Sequence, residues 1–248
     1  MEFTTFILIG FAAQLIDGTL GMAYGVSCRT FLRSMAGLPP VVASAVVHCA
    51  EIPVTLVSGI SHLTLKNVDK RLLLQLVVPG AIGGVLGAWF LTSVGDGLEP
   101  FIDVYLIIMG GVILFRALGR QPGEDRKSGG YVYPLGLAGG FLDATGGGGW
   151  GPVVTSTMIA GGHNAKKTIG SVNAAEFLVT IAETTAFAAL MVDFGQYFRI
   201  ILGLVIGGVI AAPLAAYFCT RVPIRPLMGA VGVFIICLNV YNLISALA

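Results

Sequence analysis

Charge is what this sequence lacks. Only 11% of its 248 residues are Asp, Glu, Lys or Arg, and the two signs nearly cancel at a formal net charge of +1. Soluble domains carry about 25% charged residues, so a water-exposed globule is excluded. No basic cluster is large enough to hold a phosphate backbone, which removes nucleic acid from the partners. The N-terminal Met1-Glu2-Phe3-Thr4-Thr5 has neither a positive region nor a small-residue cleavage site, and no cleaved signal peptide is expected. The four cysteines, Cys28, Cys49, Cys219 and Cys237, sit in or beside apolar segments. Their spacing fits neither zinc nor a disulfide framework, and they read as small packing residues. The apolar runs also lack the alternating polarity of a membrane barrel's strands.

Long apolar runs are present instead. Residues 41–63, 72–94, 198–219 and 226–248 each approach or exceed the ~20 residues that a helix needs to cross the hydrocarbon core. The runs also repeat. Leu15-Ile16-Asp17-Gly18-Thr19-Leu20-Gly21-Met22-Ala23-Tyr24-Gly25 is echoed by Phe141-Leu142-Asp143-Ala144-Thr145-Gly146-Gly147-Gly148-Gly149-Trp150-Gly151. His48-Cys49-Ala50-Glu51 is echoed by Asn173-Ala174-Ala175-Glu176, and Ala88-Trp89-Phe90-Leu91-Thr92 by Ala216-Tyr217-Phe218-Cys219-Thr220. Duplicated units with paired, interrupted apolar segments are how many secondary transporters are built, and the interruptions mark their sites.

The polar stretch around Gln121-Pro122-Gly123-Glu124-Asp125-Arg126-Lys127-Ser128 separates the halves. It reads as a cytoplasmic linker, 120–133, between membrane repeats 1–119 and 134–248. Each half opens on an apolar run of about a dozen residues followed by a glycine-rich break, and runs of that length suggest a re-entrant hairpin. Three clear spans follow. If both opening segments crossed fully, Arg29, Arg33, Lys166, Lys167, Arg221 and Arg225 would face the other 8 of the 14 Lys and Arg residues. That split orients nothing. If both dip in and return, only Arg29, Arg33 and Arg199 remain on one side, against 11 on the other. The positive-inside rule favours the second arrangement. The expected fold is therefore an all-α integral membrane protein of two inverted repeats. Each repeat is a broken or re-entrant glycine-rich helical segment followed by three transmembrane helices.

Interrupted backbone at membrane depth must be buried in protein or line a wet cavity. The breaks free N–H donors where new helices begin, near Val26 and Pro152, and a helix N-terminus suits an anion. Gly21, Tyr24, Gly25 and Val26 in the first break and Gly147, Trp150 and Gly151 in the second are candidate substrate contacts. Close helix packing is the alternative use of the glycines, and it accounts well for those at 80–84 and 203–208. Arg29 is a candidate anion ligand or a surface anchor. Thr155, its repeat counterpart, offers a hydroxyl. A polar stripe, Ser44, His48, Glu51, Thr55, Ser58 and His62, follows helical spacing and recurs as Asn173, Glu176, Thr180 and Glu183. Glu51 falls near the middle of its span, and an ionisable group there faces a cavity or a partner. Asp17, His48, Glu51, Asp143, Asn173 and Glu176 are candidates for organising the breaks or carrying coupling protons, with helix-to-helix hydrogen bonding as the alternative. His62 is expected at the interface. No metal, cofactor or enzymatic activity is expected.

The ordered set of these motifs resembles the sulfite exporter TauE/SafE family over nearly the whole chain. The resemblance rests on residues 17–25, on Pro39-Pro40 before Ala43-Ser44, and on Gly59-Ile60-Ser61-His62 followed by Asn67-Val68-Asp69. The second-half Gly146-Gly147-Gly148-Gly149-Trp150-Gly151-Pro152 completes it. It implies transport of sulfur oxyanions such as sulfite or sulfonates across a prokaryotic cytoplasmic membrane. Arg29 stands where a small or hydroxylated residue is expected of that family. The partners so implied are the oxyanion and the bilayer, and a homodimer is compatible with them. Two rivals remain: a passive anion channel, and an intramembrane aspartyl protease. The protease is disfavoured because Ile16 and Leu142 precede the acids in place of its motifs. The topology predicts that reporter fusions at Gly123 and Ala248 read opposite sides of the membrane; a common side would exclude the inverted arrangement.

Overall fold

The computed structural model describes residues 2–118, 129–190, 193–219 and 225–247. The expected linker lies outside the described residues over 120–128, as do the sides assigned to Arg120, Arg126, Lys127 and Arg221. The described chain is an all-α membrane protein. The first half contains α1 (Phe3–Leu20), α2 (Tyr24–Ser34), α3 (Pro40–Thr64), α4 (Lys70–Val94) and α5 (Glu99–Leu118). The second contains α6 (Val132–Gly146), a π-helical turn (Trp150–Thr155) leading into α7 (Ser156–Ala160), then α8 (Ala165–Ala189), α9 (Phe198–Phe218) and α10 (Arg225–Leu247).

Local chemistry sets the ends of these helices. Pro40 opens α3 at a position where a missing N–H costs nothing. The Asp69 carboxylate accepts from the Arg71 and Leu72 N–H groups at 2.9 and 3.3 Å, and Asn164 caps α8 through the Lys167 N–H at 3.1 Å. Each supplies an acceptor to donors that have no intrahelical partner. One length differs from the sequence reading: α1 is an 18-residue helix, not a run of about a dozen. The helix continues through Gln14, Asp17 and Thr19 because these polar groups are buried against protein. Thr19, for example, donates to the Leu15 carbonyl at 2.6 Å and to the Ala215 carbonyl of α9 at 3.2 Å.

Polarity is inverted relative to a soluble protein. Leu74, Phe101, Phe115 and Leu118 are 70–80% exposed, whereas Asp17, Arg29, His48, Glu51, Asp143 and Glu183 are at most 3% exposed. That is the distribution expected of a bundle solvated by lipid.

The helices pair so that exchanging the two halves reproduces the same set: α1 with α9, α6 with α4, α3 with α8, and α5 with α10. Glycines allow the closest of these approaches. A Cβ on Gly207 would enter the Ile7 carbonyl of α1, and one on Gly83 the Leu137 carbonyl of α6. Gly80 of α4 and Gly140 of α6 meet in the same manner, as small residues permit in membranes.

Cross-contacts also give the helix senses. Ile7 lies beside Gly207 and Gly18 beside Ala215, so α1 and α9 run the same way. Leu76 lies beside Gly136 and Gly87 beside Phe141, so α4 and α6 do too. By contrast α3 and α8 run oppositely, for Ser58 meets Asn173 while His48 meets Glu183. Val54 beside Gly208, and His62 bonded to the Gly18 carbonyl, put α3 in the sense of α1 and α9. The chain must therefore turn back between α1 and α3, and α2 makes that return: Arg29 reaches the carbonyl of Pro40, at the start of α3.

Glycine packing generates a prediction. Gly207→Val or Gly83→Val overpacks a backbone contact and costs roughly 1–3 kcal/mol or more, whereas Gly111→Ala, with nothing within 4 Å of its added Cβ, stays within about 0.5 kcal/mol. Thermal unfolding of the purified variants in detergent checks this ordering.

Candidate functional site between the two helix breaks

The two breaks are built alike. Gly21 and Gly147 end α1 and α6 in the left-handed conformation, at φ 68° and 65°, which glycine adopts without penalty. Their N–H groups return to the carbonyls of Asp17 and Asp143 at 2.5 and 2.6 Å. Each acid then turns its carboxylate to the start of the next helix. Asp143 Oδ1 accepts from the Gly149 and Trp150 N–H groups at 2.6 and 3.0 Å, and Asp17 stands likewise to the Tyr24 N–H. The new helices start at Tyr24 and Trp150, within two residues of expectation. The N-terminal donors that the sequence offered to a substrate are thus partly engaged by the chain's own acids.

The breaks pack directly on each other. A Cβ on Gly25 would lie 2.8 Å from both the Gly147 carbonyl oxygen and Gly148 Cα. Reciprocally, a Cβ on Gly151 would enter the Gly21 carbonyl and lie 2.5 Å from Met22 Cα. Val26 is fully buried beneath Gly148. Gly25 and Gly151, like Gly83 and Gly207, have no space for a Cβ, and a bulky replacement at either cannot separate anion binding from packing. The aromatic pair also serves the packing. Trp150 is fully buried against Gly80 and donates to the Val172 carbonyl at 3.1 Å, and Tyr24 donates to the Leu204 carbonyl at 3.4 Å.

Arg29 and Thr155 occupy matching places across this contact. Arg29 packs on Gly147, and Thr155 packs on Gly21. Arg29 is fully buried, not an anchor at the surface. Its Nη1 donates to the Thr145 carbonyl at 2.7 Å and its Nη2 to the Pro40 carbonyl at 3.3 Å, while Nε has no partner. The nearby Asp103 of α5 is held by Arg33 at 2.5 Å. Thr155 Oγ1 is buried and likewise without a partner.

Beside the breaks, α3 and α8 bring the polar stripes together. His48 Nδ1 lies 2.8 Å from Glu51 Oε2 and 3.2 Å from Glu183 Oε2, and its Nε2 lies 3.3 Å from the Asp143 carbonyl oxygen. The Ser58 hydroxyl donates to Asn173 Oδ1 at 2.8 Å. Ser44 donates to the Ala144 carbonyl at 2.6 Å, tying α3 to the second break. Glu176 is 5% exposed and lies in the field of Asp17, Glu51, Asp143 and Glu183. His48, Glu51 and Asp143 bring one nitrogen and two carboxylate oxygens within 4.8 Å of one another. Both His48 nitrogens face acceptors at hydrogen-bonding range, a geometry that a proton shared with a carboxyl satisfies.

His62 is buried instead of interfacial. Its Nε2 bonds the Gly18 carbonyl at 2.9 Å, and its Nδ1 meets Asn67 Nδ2 at 3.1 Å. The amide donates there, so Nε2 carries the proton. Sequence reasoning did not single out Glu183, Gln14 or Tyr105 as site residues. Glu183 was signalled by its place on the stripe. Gln14, buried with both amide atoms unpartnered, sits one turn before Asp17. Tyr105, whose hydroxyl reaches the Gly148 carbonyl at 3.3 Å, had no signal in its plain apolar helix.

Asp143 tests the architecture of the break. Asp143→Ala leaves two buried N–H donors without an acceptor and costs about 1–3 kcal/mol. Asp143→Asn keeps an acceptor oxygen and recovers most of the loss. Equal stability of the two variants on unfolding in detergent would remove the carboxylate as the organiser of the second break.

Comparison with known proteins agrees with this architecture. The family model described as "Sulfite exporter TauE/SafE" matches residues 6–242. The chain is 41% identical over 247 residues to the "Probable membrane transporter protein YtnM" of Bacillus subtilis (strain 168), covering 97% of this chain and 82% of that protein. No solved structure matches. With a family model spanning both halves and a transporter as near relative, the chain belongs to the sulfite exporter TauE/SafE family of membrane transporters.

Proposed function

We propose that this chain is a secondary transporter, working as an exporter, that moves small sulfur oxyanions such as sulfite or organosulfonates across the cytoplasmic membrane in exchange with or alongside protons. The observation that carries the reading is Arg29. A guanidinium inside the bilayer is costly unless it meets a counter-charge. Among the described residues this one donates to two main-chain carbonyls and its Nε has no partner, and the nearby acid, Asp103, is held by Arg33. An oxyanion supplies the missing charge, and the planar fork suits its oxygens. The unpartnered Thr155 hydroxyl, at the matching place in the other half, offers a further donor.

The description of the matched family names sulfite export, which supports the substrate class. The opposed senses of α3 and α8, which are repeat counterparts, support two inverted repeats, as does the division of basic residues, 11 against Arg33 and Arg199 once the buried Arg29 is set aside. Proton coupling follows from the surroundings. Asp17, Glu51 and Glu176 repel an anion while ionised, so its entry is favoured when some of them are protonated. Opposite dependence of two ligands on one cluster is a coupling free energy.

Binding of sulfite, thiosulfate and methanesulfonate to the purified protein tests the reading. Arg29→Gln is expected to bind about 30-fold more weakly or worse, the usual scale for losing a buried charge partner. Unchanged affinity would place the anion elsewhere. Glu51→Gln and Glu176→Gln keep size and hydrogen bonding but cannot titrate. Both are expected to insert normally, to transport slowly and to show a flattened pH profile; wild-type rate and profile in both would reduce them to contacts between helices.

A further inference from the structure

The fold repeats itself, but its proton chemistry does not. Each contact between α3 and α8 has a repeat-related twin, because Glu51 corresponds to Glu176. Position 48 then corresponds to 173, and 58 to 183. Hence His48 against Glu183 is the twin of Asn173 against Ser58. Both pairs are fully buried. They lie about ten residues apart along α3, or roughly 15 Å. One twin is ionisable and the other is not.

Hydrogen-bond accounting separates them further. The Ser58 hydroxyl donates to Asn173 Oδ1, and the Asn173 amide donates to the Ile169 carbonyl at 3.2 Å. That twin is satisfied with no proton taken up. In the other, His48 Nε2 faces the Asp143 carbonyl oxygen, which can only accept, so Nε2 carries a hydrogen. Nδ1 then faces Glu51 Oε2 and Glu183 Oε2. A contact between bare Nδ1 and bare carboxylates has no hydrogen in it, so one more proton must lie on Nδ1 or on a carboxyl. Glu183 adds an independent sign of the same need: its side chain is fully buried and neither oxygen has a hydrogen-bond donor. Burial of an unsatisfied carboxylate at this depth is among the costliest arrangements available to a membrane protein.

We infer that the chain carries a one-sided proton site, formed by His48, Glu51 and Glu183 against the Asp143 carbonyl, and that the Ser58–Asn173 pair is the non-ionisable twin of its His48–Glu183 pair. The proton taken up there sits between His48 and one of the two glutamates and leaves to water when the site opens; no other bond changes. The proposal rests on the transporter reading above, which it extends by naming His48 and Glu183 as a proton-carrying pair with no ionisable counterpart at the matching place in the other half. From α3 come His48 and Glu51, and from α8 come Glu183 and Glu176. Asp17 reaches the cluster from α1 and Asp143 from α6. Arg29 of α2 bonds the Thr145 carbonyl at the end of α6, and Tyr105 of α5 bonds Gly148. Toward Glu183 α4 presents Gly84, and Phe187 stacks on the His48 ring 6.1 Å away.

Two measurements on the full-length protein test this. The first needs no substrate: infrared titration of a buried carboxyl in detergent. The wild type is expected to show a titrating carboxyl band that Glu183→Gln or His48→Asn shifts or removes, and that Ser58→Ala leaves in place. A wild type without the band, or a band that Ser58→Ala removes equally, overturns the proposal. The second uses proteoliposomes with a trapped pH dye and sulfite as the probe. The double variant His48→Asn, Glu183→Ser, which turns the ionisable twin into the neutral one, is expected to lose sulfite-linked proton movement by about tenfold or more, within the usual range of coupling between two ligands, while sulfite counterflow persists. Proton movement that survives in this variant overturns the proposal, as does a stoichiometric metal ion whose removal abolishes it. If wild-type protein shows the carboxyl titration and the variants lose it, yet sulfite counterflow is absent throughout, the site stands and the sulfite reading falls.

Discussion

Main chain packed on main chain is the constraint from which the rest of the structure follows. Gly25 lies on Gly147 and Gly148, and Gly151 lies on Gly21 and Met22. Backbone this exposed by a helix break cannot face lipid, so each break covers the other. Only residues without a Cβ permit the approach. Asp17 and Asp143 then have a defined task, since each holds the donors of the helix that restarts beyond its break. The glycine seams of α4 with α6 and α9 with α1 let α1 and α6 reach the centre at the right depth. A wedge at either break would propagate to both halves, because the contact is reciprocal.

On that symmetric frame the chemistry is unequal. Arg29 stands where the other half has Thr155, and the His48–Glu183 pair stands where the other half has Asn173 and Ser58. Among the described residues, a buried arginine and a buried His–Glu pair, neither with a like counterpart at the matching place, make the two halves chemically different. Asp17, Arg29, His48, Glu51, Asp143, Glu176 and Glu183 are all buried in the present arrangement.

Much of this was legible in the sequence, for reasons that can be named. The acid–glycine echo located both breaks because left-handed turns and close backbone contact demand glycine. Helix ends for α3, α4, α9 and α10 fall within two residues of the apolar runs, since hydrocarbon thickness fixes their length. The stripe from Ser44 to Glu51 is buried as its spacing implied. What was not legible depends on contacts between distant segments. The contact of break on break joins residues more than a hundred positions apart, so the glycines read as open donors when they are partly packing. The length of α1 exceeded the apolar run because Gln14, Asp17 and Thr19 find buried company. His62 looked interfacial near its helix end but is drawn inward by the Gly18 carbonyl. Arg29 could not be oriented until Thr145 and Pro40 were seen beside it.

Because each break covers the other, they should respond to the transported anion as one unit. Hydrogen–deuterium exchange of the purified transporter, with and without sulfite, tests that most directly. Peptides spanning residues 18–26 and 144–152 are expected to change protection together when sulfite binds, and Arg29→Gln is expected to abolish the response in both. A response confined to one break, or a transporter that binds sulfite while neither break changes, would contradict a shared site between them.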